Sequence, residues 1–306
     1  MRVRIARWVV APIALALAAM GLMASPSQAI TGGFTPDFDH EYVGLIAFYD
    51  ADGEFVHRCS GTLLSPTVFL TAGHCIDISE AGDGSLIGDS ARIWFEQGAG
   101  AHYDPVTEHD PVTGYPDSGG ITASTFYGFG YAGLYLGKNS TIPNTHDVGL
   151  VILDAPVQTV YPDIDTYAQL APVGTLETYG TGPSALVDQS GYGVSYDRGH
   201  GKFVESFRSR LQVTTWITSL STGPAGGYSV QIAAARGGTC FGDSGGPTLL
   251  HDTDIQVAVT SWGFSPNCTG HSYEFRVDTE AVQSWMESVL APLGLWNEID
   301  PTADAA

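Results

Sequence analysis

The sequence predicts an all-β fold, a sandwich or a barrel, closed by one C-terminal α-helix. Two observations carry this expectation. Short runs rich in β-branched and aromatic residues recur between glycine, proline and aspartate clusters along most of the chain, and many short strands with turn signals form sandwiches or barrels. Near the end the spacing changes: Val282, Trp285, Met286, Val289 and Leu290 fall at i, i+3, i+4, i+7 and i+8, the apolar stripe of an amphipathic helix.

In chain order, strands are expected at Tyr42–Phe48, Val68–Thr71, Arg92–Phe95, Val148–Leu153, Leu211–Ile217, Ser229–Ala233, Ile255–Trp262 and Tyr273–Val277. The helix is expected to follow a capping Asp278 and to press its stripe onto the core. Residues 97–146 have a different texture, rich in Gly, Tyr, Asp and Thr, with "DPVT" at Asp104 and again at Asp110. Two copies of four residues make no solenoid, so this stretch is expected to be a long surface excursion. The end, residues 291–306, is expected to be an acidic tail, disordered from Asn297.

The chain opens with Arg2, Arg4 and Arg7, an apolar run Trp8–Ala24, and small residues at Ser27 and Ala29. This is the pattern of a secretory signal cut after Ala29. A membrane anchor is the alternative, but the run is shorter than the roughly 20 residues a span needs and contains Pro12. Cleavage would leave 277 of the 306 residues, starting Ile30-Thr31-Gly32-Gly33. It would remove three of the 12 basic residues and none of the 33 acidic ones, moving the net charge from −21 to −24. Such a surface repels nucleic acid and anionic membranes and favours solubility.

Cys59, Cys75, Cys240 and Cys268 then belong to a chain outside the cytoplasm, where disulfides persist. None has the spacing of a zinc motif. Three pairings are open; the nearest-neighbour one closes two modest loops, worth about 3 kcal/mol each in the chain-entropy model.

Three short motifs carry chemistry: "TAGHC" at Thr71–Cys75, "HDVGLVIL" at His146–Leu153 and "CFGDSGGP" at Cys240–Pro247. A serine hydroxyl needs a base within hydrogen-bond reach, itself oriented by a third group. Ser244, His74 and Asp147 are the required types, and distance in sequence is no obstacle. Glycines around Ser244 free the backbone and let a substrate approach. They suit an oxyanion hole made by the N–H groups of Gly242 and Ser244. Each motif alone has an ordinary structural explanation; the combination does not.

With these blocks, in the order His, Asp, Ser, and with "SWG" at Ser261–Gly263, the sequence resembles the chymotrypsin/trypsin family of secreted serine proteases from Ile30 to about Leu290. The resemblance implies two antiparallel β-barrels, a first one in residues 30–160 and a second with the helix in 161–290, and an active site between them. It implies His74, Asp147 and Ser244 as a triad, and the disulfides Cys59–Cys75 and Cys240–Cys268. It also implies that the α-ammonium of Ile30, freed by cleavage, pairs with Asp243 and sets the oxyanion loop. If signal cleavage itself exposes Ile30, the enzyme is active on secretion without a zymogen step.

For specificity, the resemblance points to Gly238, Thr239, Thr260, Ser261, Trp262 and Gly263. Trypsin-type relatives carry an Asp at the position of Gly238, so the usual anchor for Lys or Arg is missing. The expectation is an apolar or aromatic P1 residue, the side chain before the cut. Thr239, Thr260 and His271 leave a polar or acidic one as the second choice. Two departures stand out: a third disulfide of the second barrel is absent, and Tyr192 stands where relatives often have Trp. The expected protein is a monomer that acts on polypeptides, has no nucleic-acid or, once cleaved, membrane partner, and requires no metal or organic cofactor. The alternatives are an inactive binding protein on the same scaffold and an esterase using the same triad.

Overall fold

The computed structural model describes residues 31–77, 88–99, 119–134, 140–197, 202–204, 209–234 and 237–302. The expected signal segment 1–29, Ile30 and both "DPVT" repeats lie outside them. Each of the eight expected strands is present within two residues of its expected ends. Together with four further strands they build two six-stranded antiparallel β-barrels.

The first barrel runs Val43–Tyr49, Phe55–Leu63, Val68–Thr71, Gly149–Leu153, Ile121–Gly128, Ser90–Trp94 and back to Val43–Tyr49. The second runs Leu186–Gly191, Pro247–Leu250, Ile255–Gly263, His271–Arg276, Ser229–Ala233 and Leu211–Ser219. It closes where Leu211–Gly191 and Leu186–Trp216 pair. Closure removes the exposed edges that an open sheet of this size would present.

The four strands absent from the expectation are Phe55–Leu63, Ile121–Gly128, Leu186–Gly191 and Pro247–Leu250. Two of them lack an apolar run for a physical reason. Leu186–Gly191 buries Asp188, Gln189 and Ser190, and Phe55–Leu63 buries Ser60 and Thr62. Most of these polar side chains find partners inside, as when Thr214 Oγ1 donates to Asp188 Oδ1 at 2.6 Å, Ser190 Oγ donates to Asp37 and Ser60 Oγ donates to Gly242 O. Buried polar groups are tolerated when hydrogen-bonded.

Residues 97–146 are therefore not one excursion: Ile121–Gly128 pairs with Ser90–Trp94 on one side and Gly149–Leu153 on the other. Nor is the end wholly free chain. Short 3₁₀ turns follow the helix at Ala291–Leu293 and Trp296–Glu298, and Ile299 is buried against the core.

The terminal helix, Glu280–Leu290, buries Val282, Met286 and Leu290 as the stripe requires. Its cap is Thr279, not Asp278. Arg276 holds the Asp278 carboxylate through Nε at 2.8 Å and Nη2 at 3.0 Å, and the N–H of Leu176 donates to it at 2.8 Å, so its oxygens are turned to these partners and not to the helix.

One apolar cluster runs from the first barrel through Leu249, Val259 and Phe275 to the helix. At the junction Arg210 is 2% exposed; its Nη1 donates to the carbonyls of Val43 at 3.1 Å and Phe95 at 2.9 Å. Tyr192, the residue in the Trp position, donates its hydroxyl to Glu96 O at 2.8 Å. The barrels are thus fixed against each other beside the turn that carries Ser244.

Candidate active site

His74 lies on the single helical turn Gly73–Ile76, directly after the strand Val68–Thr71. Asp147 precedes the neighbouring strand Gly149–Leu153. Because these strands pair, the two side chains meet: His74 Nδ1 sits 2.9 Å from Asp147 Oδ2, and the His74 backbone N–H donates to Oδ1 at 2.7 Å. Asp147 is 1% exposed. The Ser261 hydroxyl, arriving from the second barrel, also donates to Asp147 Oδ2.

Burial alone would push the His74 pKa down, but the charge and hydrogen bond of Asp147 outweigh it and raise it above the ordinary imidazole value. For Asp147 burial works upward, and the contacts from His74 and Ser261 win, leaving its pKa lowered. The pair therefore favours an ionised carboxylate beside an imidazole that gains a proton readily.

Ser244 sits in the turn between Cys240 and Pro247. Gly242 has φ +95° and Gly245 φ +81°, the left-handed region open to glycine. A Cβ on Gly245 would lie 2.1 Å from Thr71 Oγ1 and 2.5 Å from Ser60 O, so the turn presses directly onto the first barrel. Ser60 braces it from that side: its N–H donates to Ser244 O at 2.8 Å and its hydroxyl to Gly242 O at 2.9 Å.

The N–H groups of Asp243, Gly245 and Gly246 are used within the turn or by Thr260 O. Those of Gly242 and Ser244 donate to no described residue, so these two donors of the turn stay open. No hydrogen bond joins Ser244 Oγ to His74 among the described residues; such contacts are often loose without substrate.

Asp243 is fully buried. Its oxygens accept the N–H groups of Gly193 at 2.7 Å and Cys240 at 2.8 Å. Burial nevertheless pushes its carboxyl up to about 7, against those hydrogen bonds and with help from the nearby Glu274. Ile30 lies outside the described residues, but the next two, Thr31 and Gly32, pair with Gly238 and Gly237 in the same region.

A cleft of about 280 Å³ opens beside Ser244 and is lined by Thr239, Thr260, Ser261, Trp262 and Gly263 among others. Gly238 does not line it. Its Cβ position is 2.7 Å from Ala234 Cβ, so this point of the chain has no room for a side chain. Cys240–Cys268 forms one wall, and Cys59–Cys75 ties His74's turn to the strand Phe55–Leu63.

Among the described residues, two groups of side chains lie close enough to share an ion: His57 with Cys59 and Cys75, and Asp188 with His251 and Asp252. The sulfurs of the first are spent in a disulfide, and neither group contains His74, Asp147 or Ser244. Sequence reasoning did not single out the brace at Ser60, the hydroxyl of Ser261 on Asp147, or the buried Glu274. None belongs to a recognisable motif, and only the folded barrels bring them to the site.

This double barrel, with a His–Asp pair from one half facing a glycine-framed serine from the other, is the architecture of a serine protease. The Trypsin family profile matches residues 129–286, and the chain belongs to that family. Among curated relatives, Lectizyme of Glossina austeni is 25% identical over 249 residues, covering 76% of this chain and 77% of its own. Trypsin alpha of Drosophila erecta is 25% identical over 243 residues with the same coverage. Solved structures share the fold. HL collagenase has TM-score 0.52 at 18% identity, covering 83% of this chain and 94% of its own. A Glu endopeptidase has TM-score 0.52 at 19% identity, covering 85% and 97%. Human heparin binding protein has TM-score 0.52 at 17% identity, covering 85% and 96%.

Proposed function

We propose that the chain is a secreted serine endopeptidase that cuts polypeptides through an acyl-enzyme formed on Ser244. The observation that carries this reading is the convergence of His74 Nδ1 and the Ser261 hydroxyl on one buried Asp147 carboxylate, next to a serine flanked by two open N–H donors. In the first step Ser244 Oγ bonds to the scissile carbonyl carbon while its proton passes to His74 Nε2. The carbonyl oxygen becomes an oxyanion held by the N–H groups of Gly242 and Ser244.

The C–N bond then breaks and the leaving amine takes the proton from His74. Water repeats the sequence on the ester, returning Ser244. Asp147 keeps Nδ1–H directed at itself, so Nε2 stays free as the base, and it stabilises the imidazolium as it forms. These steps call on no group besides the chain and water. Among the described residues no helix is long and apolar enough to cross a membrane, and the signal pattern of residues 1–29 supports export.

The first test is the intact mass of the exported protein after exposure to a serine-directed fluorophosphonate. The expected result is a chain beginning at Ile30 with one adduct. A chain beginning at Ile30 that takes no adduct argues for the binding-protein alternative, and comparing peptide with ester turnover separates an esterase.

The Ile30–Asp243 pair supports a second expectation. Without a cation, Asp243 has a folded pKa of about 7, above the ordinary carboxylate value near 4. A folded pKa raised in this way gives stability that is complete below about 4 and is lost as pH rises through about 7. The form retaining residues before Ile30 should therefore lose Tm between pH 5 and 8 relative to the form starting at Ile30, whose ammonium compensates the carboxylate. Parallel Tm curves for the two forms would discard the pair.

A further inference from the structure

We propose that Glu274 is the specificity-determining acid of the cleft beside Ser244 and that it selects a lysine side chain at P1, an inference that rests on the reading of the chain as a serine endopeptidase. The strand His271–Arg276 carries Glu274 into the second barrel, where it is fully buried. Its Oε1 accepts Gln189 Nε2 at 2.8 Å and the Thr239 hydroxyl at 3.3 Å, and its Oε2 accepts the Ser261 N–H at 3.1 Å. Ser272 Oγ stands near enough to help hold the charge without closing a hydrogen bond.

These donors favour a carboxylate, yet no cation pairs with it among the described residues. The Arg276 guanidinium is bonded to Asp278 and Glu177 instead. A buried charge held by donors but lacking a counter-charge is costly, and a cation arriving in the cleft removes the cost.

Thr239, Thr260 and Ser272 line the cleft, and Glu274 lies behind Thr239. Because Thr239 gives its one proton to Glu274, its oxygen offers the cleft only acceptor capacity. Thr260 Oγ1 is buried without a hydrogen-bond partner among the described residues. The polar end of the cleft is therefore a set of hydroxyl oxygens able to accept, that of Thr239 with its proton already given to Glu274, backed by a negative charge.

The walls are apolar, with Phe264 packed edge-on to Trp262 at 5.0 Å and the Cys240–Cys268 disulfide opposite. A lysine matches both: its methylene stem lies along the walls and its ammonium brings three donors to the acceptors. A guanidinium fits less well, since it seeks both oxygens of a carboxylate in one plane, and Thr239 and Ser261 already occupy those oxygens. Acidic side chains are repelled. The acid missing at Gly238, where a Cβ would strike Ala234, is thus replaced by one from a different strand. This changes the sequence-based expectation of an apolar or aromatic P1 residue.

Burial pushes the Glu274 carboxyl up to about 7, so the preference should grow as pH rises through neutrality. The neighbouring strands Ser229–Ala233 and Ile255–Gly263 contain no titratable residue. Asp188, on Leu186–Gly191, is bonded to His251 and Thr214. Asp243, in the Ser244 turn, is the acid coupled to Glu274, and His271 lines the cleft.

The test compares kcat/KM at pH 8 for peptides differing only in Lys, Arg, Phe or Glu at P1, using the processed enzyme and its Glu274→Gln and Glu274→Asp variants. Lys should be preferred, and the Lys-to-Phe ratio should fall about tenfold or more in Glu274→Gln and recover in part in Glu274→Asp. A structural role alone would lower both substrates together and leave the ratio unchanged. A wild-type preference for Phe that Glu274→Gln does not alter overturns the inference while leaving the endopeptidase standing.

Calorimetry with n-butylammonium as the probe needs neither turnover nor a folded variant. Binding to the wild-type protein should tighten from pH 5.5 to 8, and absent or pH-independent binding overturns the inference. If no peptide is cut and no fluorophosphonate adduct forms, the endopeptidase reading fails by itself, and the same calorimetry still decides whether the cleft takes a cation.

Discussion

Replacing Ser244 by Ala is expected to lower kcat on a peptide substrate by about 10⁶ and to leave the fold intact. The magnitude is that of removing a nucleophile from a unit whose members act together. The side chain makes no hydrogen bond among the described residues, while the turn around it is fixed through its backbone, by Ser60 N–H on Ser244 O and Gly245 N–H on Thr260 O. Alanine keeps those contacts and the open N–H donors, so a residual rate of roughly 10³–10⁴ over water should remain. The check pairs kcat with a thermal melt: lost turnover at unchanged Tm supports Ser244 as nucleophile, and a variant that retains more than a few per cent of activity rules it out.

Replacing Asp147 by Asn should cost about 10⁴ in kcat and should also move the pH profile. The carboxylate accepts three donors at once: the backbone N–H of His74, its Nδ1–H, and the Ser261 hydroxyl. An amide presents an N–H₂ group to one of them. If that group faces His74, the imidazole proton must move to Nε2, and the base is lost.

The titration gives an independent readout. His74 must be neutral to accept the Ser244 proton, so activity rises with pH through its pKa. Asp147 holds that pKa above its ordinary value against the downward pull of burial. Without the charge, burial dominates and the acidic limb should move to lower pH even as the plateau falls. A kcat–pH profile whose acidic limb stayed in place, or moved upward, would show that Asp147 does not act on His74 in this way.

These variants follow residues that were legible in the chain itself. His74, Asp147 and Ser244 stand in short motifs because the local backbone demands them: glycines at positive φ frame Ser244, and paired strands bring the segments of His74 and Asp147 side by side. The eight expected strands were legible as runs of β-branched and aromatic residues between turn-forming clusters, and the helix by the fixed spacing of its apolar stripe. Phe55–Leu63 and Leu186–Gly191 were not, since strands that bury polar residues do not read as apolar runs.

By itself, then, the sequence determined the fold class, the motifs that make up the candidate site and the positions of the cysteines, all of which are written in local patterns. Tertiary structure alone decided what surrounds them. Ser60 on the oxyanion turn, Ser261 on Asp147 and Glu274 behind Thr239 are contacts between residues 182, 114 and 35 positions apart. Their strength comes from burial, which removes water and makes each charge depend on its few neighbours. A lone Glu in a strand reads as surface; closure of the second barrel is what turns it into a buried acid behind Thr239.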